Sequence, residues 1–334
     1  MKISVIVTCH NRREYILEAL RSLDSQTFRD FEVIVVKNYV DDKIDRYIED
    51  RGFTNVLDTN VKLGHKVAAG LRNSRGEIIT FLEDDDMYQA HRLERLAKVF
   101  EDPRVTYFHN DVILVDENGR TMVQAEPVEE TSRVRDEEKR VKLKYLLDDK
   151  RAGFNNSSIA VRRELVERYL GEINNINIGL DNFIFFSALC NSGDLVITDS
   201  RLTFYRIHAS NSSFSIGSFT AWVERNIQVL PRYMEDREIM LKLFRGCFIE
   251  SKLRAGLLRS KRILAILSRI NNSPNKVTLQ LADLSSSPSA KQFLVTSAFL
   301  TAQYFPNTLG RYLLKRIYTR EMKRRTKIFK LERA

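Results

Sequence analysis

Cysteine is scarce in this chain: only Cys9, Cys190 and Cys247 occur in 334 residues, far apart and odd in number. That count speaks against a disulfide framework and against a Cys-rich metal site. Long apolar runs are equally scarce. The longest cover residues 3–7, 78–82 and 293–305, and the last is interrupted by Thr296, Ser297, Thr301 and Gln303. None reaches the roughly 20 residues that a bilayer crossing needs. No charged-then-apolar leader opens the sequence, because Met1-Lys2 runs straight into a strand-like segment. The expectation is a cytoplasmic protein. Internal repeats and low-complexity tracts are missing too. What remains is 43% hydrophobic and 29% charged, the composition of a folded globular protein. The length suffices for one substantial core and a smaller second domain.

The net charge of +10 is spread unevenly. From residue 219 to the end stand 23 Lys and Arg against 8 Asp and Glu, leaving 31 basic and 36 acidic residues before it. A mildly acidic front part therefore carries a strongly basic tail part. Such a tail suits an anionic surface: membrane lipid, a phosphate-bearing lipid carrier or nucleic acid.

In the front part, apolar runs alternate with amphipathic periodicity. Residues 2–7 read as a buried strand ending at Thr8-Cys9-His10-Asn11-Arg12, and Ile16, Leu20 and Leu23 place a helix over 13–25. Further strands are predicted at 31–36, 55–58 and 77–82, and helices at 46–50, 67–73 and 90–100. This alternation predicts an α/β fold with a largely parallel sheet covered on both faces, binding ligands beyond the carboxyl ends of its strands. Polar residues closing the first, second and fourth strands then converge on one crevice. Residues 105–108 and 112–115 read as short strands, and the charged stretch 126–140 as a surface loop or mobile segment. An aromatic-rich helix is predicted at 181–189. From residue 219 the pattern turns helical, over 219–234 and 238–270, with breaks at 271–275 and 285–289.

The most informative residues are Glu83-Asp84-Asp85-Asp86, directly after the strand at 77–82. Acids in the first turn of a helix are favoured by its dipole, by about 0.3–1 kcal/mol each. That reading does not account for four in succession at a strand end. A hard divalent cation, held by two of them and by a substrate's phosphates, removes the repulsion.

The ordered set of motifs resembles family 2 glycosyltransferases of the GT-A fold. The opening from Ile3 to Arg12 is similar to theirs. Ser25-Gln26-Thr27-Phe28-Arg29-Asp30-Phe31-Glu32-Val33-Ile34-Val35-Val36 resembles their S-Q-T-F-x-x-F-E-V-I-V-V stretch. The run from Gly76 to Asp86 resembles the strand leading into their Asp-x-Asp motif. Gly179-Leu180-Asp181-Asn182-Phe183 and Phe204-Tyr205-Arg206-Ile207-His208 resemble two later segments. The resemblance covers roughly residues 1–215. It implies a Rossmann-like, mostly parallel sheet with flanking helices over residues 1–217, the nucleotide-sugar-binding and catalytic domain. A helical, basic C-terminal extension over 218–334, membrane- or acceptor-associated, completes the expected layout.

Residue by residue, the resemblance implies Asp85 as the best metal ligand, Glu83 in the first position of Asp-x-Asp, and Asp86 as a further ligand or orienting group. Mn²⁺ or Mg²⁺ is the implied cofactor. Asp84 would lie beside the donor's ribose, and Thr8, His10, Asn11 and Arg12 would hold the nucleotide. Asp181 matches the family's general base, although an Asp there also suits a helix N-cap. His208 reads as a metal or phosphate ligand or as a hydrogen-bonded loop histidine. Lys66, with Lys62 and His65, reads as a phosphate contact or a solvated basic face. The implied partners are a UDP- or GDP-linked sugar and a glycan or lipid-linked acceptor, without nucleic acid.

Departures from the family pattern are specific. Lys37-Asn38 stands where an acidic pair usually reads the base, so Asn38 takes over one contact. Leu180 replaces the first acid of the later pair. The Gln-x-x-Arg-Trp motif of processive synthases is absent, which favours a single addition. Residues 307–334 mix Tyr312, Leu313, Ile317, Tyr318 and Phe329 with many Lys and Arg, as a solvated charged helix does, or a segment lying on anionic lipid at the inner face of a membrane. Two rival functions remain open: a non-catalytic binding protein on a decayed transferase fold, and a metal-dependent nucleotidyltransferase.

Overall fold

The structure is a computed structural model that describes residues 2–122, 129–208, 218–271 and 276–328. The chain divides into two compact units, Met1–Arg206 and Ile207–Ala334. The division comes earlier than the 217/218 boundary read from the sequence, and residues 209–217 lie outside those described.

In the first unit, β1 (Ile3–Cys9) is buried at every position, as a continuous apolar strand in the middle of a covered parallel sheet must be. Helix α1 (Ile16–Asp24) turns Ile16, Ala19, Leu20 and Leu23 inward. Strand β2 (Phe31–Lys37) leads to α2 (Asp42–Asp50), which starts earlier than its apolar periodicity because Asp41 caps it, accepting from the Ile44 N–H. Then come β3 (Thr54–Leu57), α3 (Leu63–Arg72), β4 (Ile78–Glu83), β5 (Met87–Tyr88), α4 (Arg92–Val99), β6 (Val105–Val115) and β7 (Thr131–Val134). The unit ends with β8 (Ile159–Arg162), α5 (Arg163–Glu167), α6 (Leu170–Ile173), α7 (Leu180–Cys190) and β9 (Asp194–Arg206).

One sheet runs in the order β3-β2-β1-β4-β8-β6-β9-β5, with β7 on β9. The first four of these strands are mutually parallel, so their carboxyl ends open on one edge. Strand β8 joins β4 antiparallel and starts the mixed half. Two sequence expectations change here. The two short strands at 105–115 are a single strand whose register against β9 shifts at Asn110, Asp111 and Val112. The stretch 126–140 is no mere loop: its residues 131–134 form β7, with Arg133 ion-paired to Asp102 and Asp194.

The second unit is helical: α8 (Phe219–Leu243), α9 (Glu250–Ile270), α10 (Ala282–Ser285), α11 (Ala290–Ala302) and α12 (Arg311–Ile328). Helix α8 runs through Pro231 and past the break expected near residue 236. The chain turns instead around Gly246, whose φ of 81° is left-handed and costs a glycine no Cβ clash. Trp222, Ile263, Ile266, Phe299 and Leu314 centre the core. Leu313, Ile317 and Tyr318 of α12, expected on a solvated charged helix or against lipid, are partly buried and pack against that core, whereas Tyr312 stays exposed. Phe329 lies outside the described residues. Among the described residues no helix is long and apolar enough to cross a membrane.

Candidate active site

The carboxyl ends of β1, β2 and β4 supply the crevice. Glu83 is the last residue of β4, and β5 intervenes before α4 begins at Arg92. The four acids are therefore not the first turn of a helix, and no helix dipole compensates them. Asp84, Asp85 and Asp86 are buried, while Glu83 keeps part of its surface open. Oxygen atoms of Glu83, Asp85 and Asp86 all lie within 4.8 Å of one another. At such a separation, and an effective dielectric constant of about 20, each charged pair repels by about 3–4 kcal/mol.

Arg12, at the end of β1, provides part of the compensation. It donates from Nη1 to Asp85 Oδ2 at 2.8 Å and from Nε to Asp84 Oδ1 at 3.1 Å. Asp84 also accepts the His10 N–H at 3.1 Å. The compensation is incomplete. Burial first, and then the charge of Asp85, push Glu83 and Asp84 each up to about 7 and Asp86 well above the usual carboxylate range. A set of hard carboxylate oxygens held close together and short of positive charge fits a divalent cation such as Mg²⁺ or Mn²⁺.

Neutral side chains fix the acids in place. Asn156 donates its amide to Glu83 Oε1 at 2.8 Å, and Ser157 Oγ accepts the Glu83 N–H at 3.0 Å. Asn155, at φ 66°, donates to Asp86 Oδ2 at 3.0 Å. From β9, the Arg206 N–H donates to the other Asp86 oxygen at 3.1 Å. The Arg206 side chain is fully buried, donating to the Asp85 carbonyl at 3.0 Å and pairing with Glu18 at 2.6 Å.

Asp181 enters from α7. Gly179 occupies the N-cap, so Asp181 is not the cap; its Oδ1 accepts from the N–H and the amide of neighbouring Asn182. Its charge reaches Glu83 and helps to raise that residue's pKa, which puts the two carboxylates in one electrostatic neighbourhood. The loop before α7 is pinned by α3: Leu63 and Gly64 donate their N–H groups to Asn177 and Ile176 at 2.9 and 3.0 Å. Gly64 is required there, since a Cβ would stand 1.8 Å from the Ile173 carbonyl oxygen.

The family model described as Glycosyl transferase family 2 matches residues 4–170, half of the chain. The chain belongs to this family. The transferase is 26% identical over 249 residues to an uncharacterized glycosyltransferase of Nostoc sp., alr2836, spanning 71% of this chain and 75% of that one. It is 25% identical over 223 residues to an uncharacterized glycosyltransferase of Haemophilus influenzae, covering 64% and 71%. In fold it is similar to the crystal structure of S. aureus TarS 1-349 in complex with UDP-GlcNAc, with a TM-score of 0.53 and 18% identity over 90% of this chain and 91% of that one. The fold is thus of the GT-A type, and the chain is a glycosyltransferase.

The transferase does not bring all the residues expected from its sequence to the crevice in the same way. Asn11 and Asn38 clasp each other there: the Asn11 N–H donates to Asn38 Oδ1 at 2.9 Å and the Asn38 amide to Asn11 Oδ1 at 2.7 Å. Asn11 takes a left-handed φ of 57°, which Asn tolerates better than most residues. Thr8 is buried in β1 and His10 is exposed at its end. Asp84 is engaged by His10 and Arg12, which ties the β1 and β4 ends together. Lys66 is buried and donates to the Asp58 carbonyl at 2.6 Å, beside the His65–Asp58 contact, so neither a phosphate in the open crevice nor a solvated face describes it. Lys37 is buried too, bonded to the Tyr39 carbonyl and to Asp45, both at 2.7 Å. His208, buried, falls in the second unit. Sequence reasoning missed Asn155, Asn156, Ser157 and the structural part of Arg206. The signal for the first three was a polar quartet, Asn155-Asn156-Ser157-Ser158, leading directly into a buried strand.

Proposed function

We propose that this glycosyltransferase moves a sugar from a nucleoside-diphosphate donor to an acceptor hydroxyl, with inversion and one addition per encounter. The observation that carries this reading is the convergence of Glu83, Asp85 and Asp86 at the end of β4, within electrostatic reach of Asp181. The UDP-GlcNAc and UDP in the TarS crystal structures support a nucleotide-sugar donor. Asn11 and Asn38, at the ends of β1 and β2, offer both donors and acceptors to a base and suit a UDP- or GDP-linked sugar.

In this reading Glu83, Asp85 and Asp86 hold Mn²⁺ or Mg²⁺, which when bound neutralises the leaving diphosphate as a Lewis acid. Arg12 holds Asp84 and Asp85 in place so that their oxygens stay directed to one point. Asp181 takes the proton of the acceptor hydroxyl as that oxygen attacks the anomeric carbon, and the bond from this carbon to the diphosphate breaks. A single carboxylate on the acceptor side suits direct inversion. The buried, paired Lys37 removes a reason to think of a decayed binding fold. The acceptor is a glycan or a lipid-linked sugar, with residues 307–334 assigned to the acceptor or to an anionic membrane surface.

The test is release of nucleoside diphosphate from UDP- and GDP-sugars with Mn²⁺ or Mg²⁺. Turnover is expected with the metal, and Asp181→Asn is expected to lower kcat by about 10²–10⁴-fold while donor affinity holds. Pyrophosphate release with a nucleotidylated product would instead identify a nucleotidyltransferase. No turnover with any donor would return the chain to a binding role.

A further inference from the structure

The second unit contains a cavity of about 400 Å³ between α9, α11 and α12, a volume in the range of small-ligand sites. Its polar lining is of one sign: Arg259 and Arg262 from α9, Lys291 from α11, Arg316 and Arg320 from α12. These positions are three or four residues apart on α9 and α12, so each helix turns one cationic face to the same space. Val295, Phe299, Leu313 and Ile317 make the rest of the wall apolar.

Arg262 distinguishes this place from an ordinary basic surface. Only 5% of it is exposed, yet among the described residues its guanidinium meets neutral partners: Gln292 Oε1 at 2.9 Å and Thr296 Oγ1 at 3.5 Å. Among the described residues, the lining cation with a carboxylate partner is Arg259, 3.0 Å from Glu321, and Glu321 also accepts the Trp222 indole N–H. A buried guanidinium that meets no anion among the described residues, with four further cations lining the same cavity, is costly, and a bound anion offsets that cost. Burial and the nearby Arg259 draw the Arg262 pKa down to about 10, so it keeps its charge at neutral pH. Beside the cavity, α11 leaves Phe293 and Leu294 exposed, and Val295 is exposed on its wall.

We propose that this cavity binds a phosphate that carries an apolar chain, with Arg262 as the buried anchor of the phosphate, Arg316 and Arg320 at its rim, and Val295, Phe299 and Leu313 against the chain. The site stands on the second unit alone and holds whether or not the reaction proposed for the first unit is correct. Guanidinium groups suit this ligand because they pair with phosphate oxygens in a forked, charge-assisted way.

Calorimetric titration of the full chain with dodecyl phosphate, below its micelle concentration, tests it beside inorganic phosphate and dodecyltrimethylammonium. Dodecyl phosphate is expected to bind at least about tenfold tighter than inorganic phosphate, and the cationic amphiphile not at all. Arg262→Gln is expected to weaken dodecyl phosphate about tenfold or more. The double variant Arg316→Gln/Arg320→Gln, at the rim and without consequence for folding, is expected to do the same and decides the matter if Arg262→Gln fails to fold. Equal binding of inorganic phosphate would leave a free-anion site and overturn the amphiphile. Equal binding of the cationic amphiphile, or unchanged affinity in the rim variant, would overturn the site itself.

Discussion

At the end of β4 four successive acids share one guanidinium, Arg12, which pairs with Asp84 and Asp85, whereas in the cavity of the second unit a buried guanidinium, Arg262, shares the lining with four other cations and, among the described residues, bonds neutral oxygens. Both places gather charge of one sign, but the three aspartates are buried, whereas of the five cations Arg262 is buried and the other four are exposed. Their chemistry differs. The acids surround a point that suits a small hard cation, with Asn155, Asn156 and Ser157 setting their orientation. The cations surround an elongated space with an apolar wall, which suits an anion with a tail. Elsewhere the molecule buries single charges, in a pair as with Lys37 and Asp45, or against neutral oxygens as with Arg92, which bonds Asn110 and Thr80. What sets the two places apart is several like charges gathered at one spot rather than one alone.

The sharpest way to break the comparison is at the acidic end. Asp85→Asn removes one charge while keeping the shape that Arg12 contacts. If the cluster serves a cation, nucleoside-diphosphate release falls by about 10³-fold or more, since electrostatic stabilisation of this kind is the largest single contribution to such rates. The measurement is turnover at saturating Mn²⁺ together with a Mn²⁺ titration by calorimetry. Full turnover in the variant would mean that the acids are a structural knot held by Arg12 and Arg206.

Much of this was legible in the sequence. The parallel half of the sheet followed from apolar runs alternating with helical periodicity, because strands covered on both faces cannot be anything but apolar. The acidic run was visible for the same reason that it is costly: four like charges at the end of a buried strand have no bland explanation. The Asn and Ser quartet that orients these acids was harder to see. Its residues are ordinary loop formers, and only the register of β8 beside β4 brings them to Glu83. Lys37 misled because a sequence does not tell which side of a strand end a long side chain takes; its ammonium folds back to Asp45 in α2. The second unit was the least legible. Its cationic cavity needs α9, α11 and α12 together, and their lining residues are scattered from Arg259 to Arg320 in the chain. Reading α12 alone left Leu313, Ile317 and Tyr318 to a solvated charged helix or to lipid, and did not show that they pack, partly buried, against the core of that unit.

A third buried group, His109 on β6, shows what happens when a charge can simply be given up. Burial, with Arg151 and Arg92 adding to it and Asp111 opposing, draws its pKa down to about 4, and the neutral ring bonds the Phe154 carbonyl at 2.8 Å. The unfolded chain takes up this proton near pH 6.5, the folded one only near 4, so the unfolded state binds more protons in between. Stability is therefore full above about pH 6.5 and falls as the pH drops towards 4, by about 2 kcal/mol at pH 5. Urea unfolding at pH 7 and pH 5 measures this, and His109→Gln, which keeps a donor for Phe154, is expected to lose about 2 kcal/mol less over that interval. An equal loss in the variant would place the acid sensitivity elsewhere.

The smallest expected effect bears most directly on the contrast between paired and unpaired charge. Arg262 has no carboxylate to strand when it is removed, and Gln292, being partly exposed, can turn to water. Arg262→Met keeps much of the side-chain volume and discards a desolvated charge. Replacing buried charge by apolar volume is often neutral or stabilising, and here a gain of about 1 kcal/mol is expected in the absence of any anion. Urea unfolding in phosphate-free buffer reads it, and added dodecyl phosphate should then stabilise the original protein and not the variant, reversing their order. A protein that instead loses stability on Arg262→Met, with or without the amphiphile, keeps this arginine for its bonds to Gln292 and Thr296. The likeness between the two clusters would then end at their geometry.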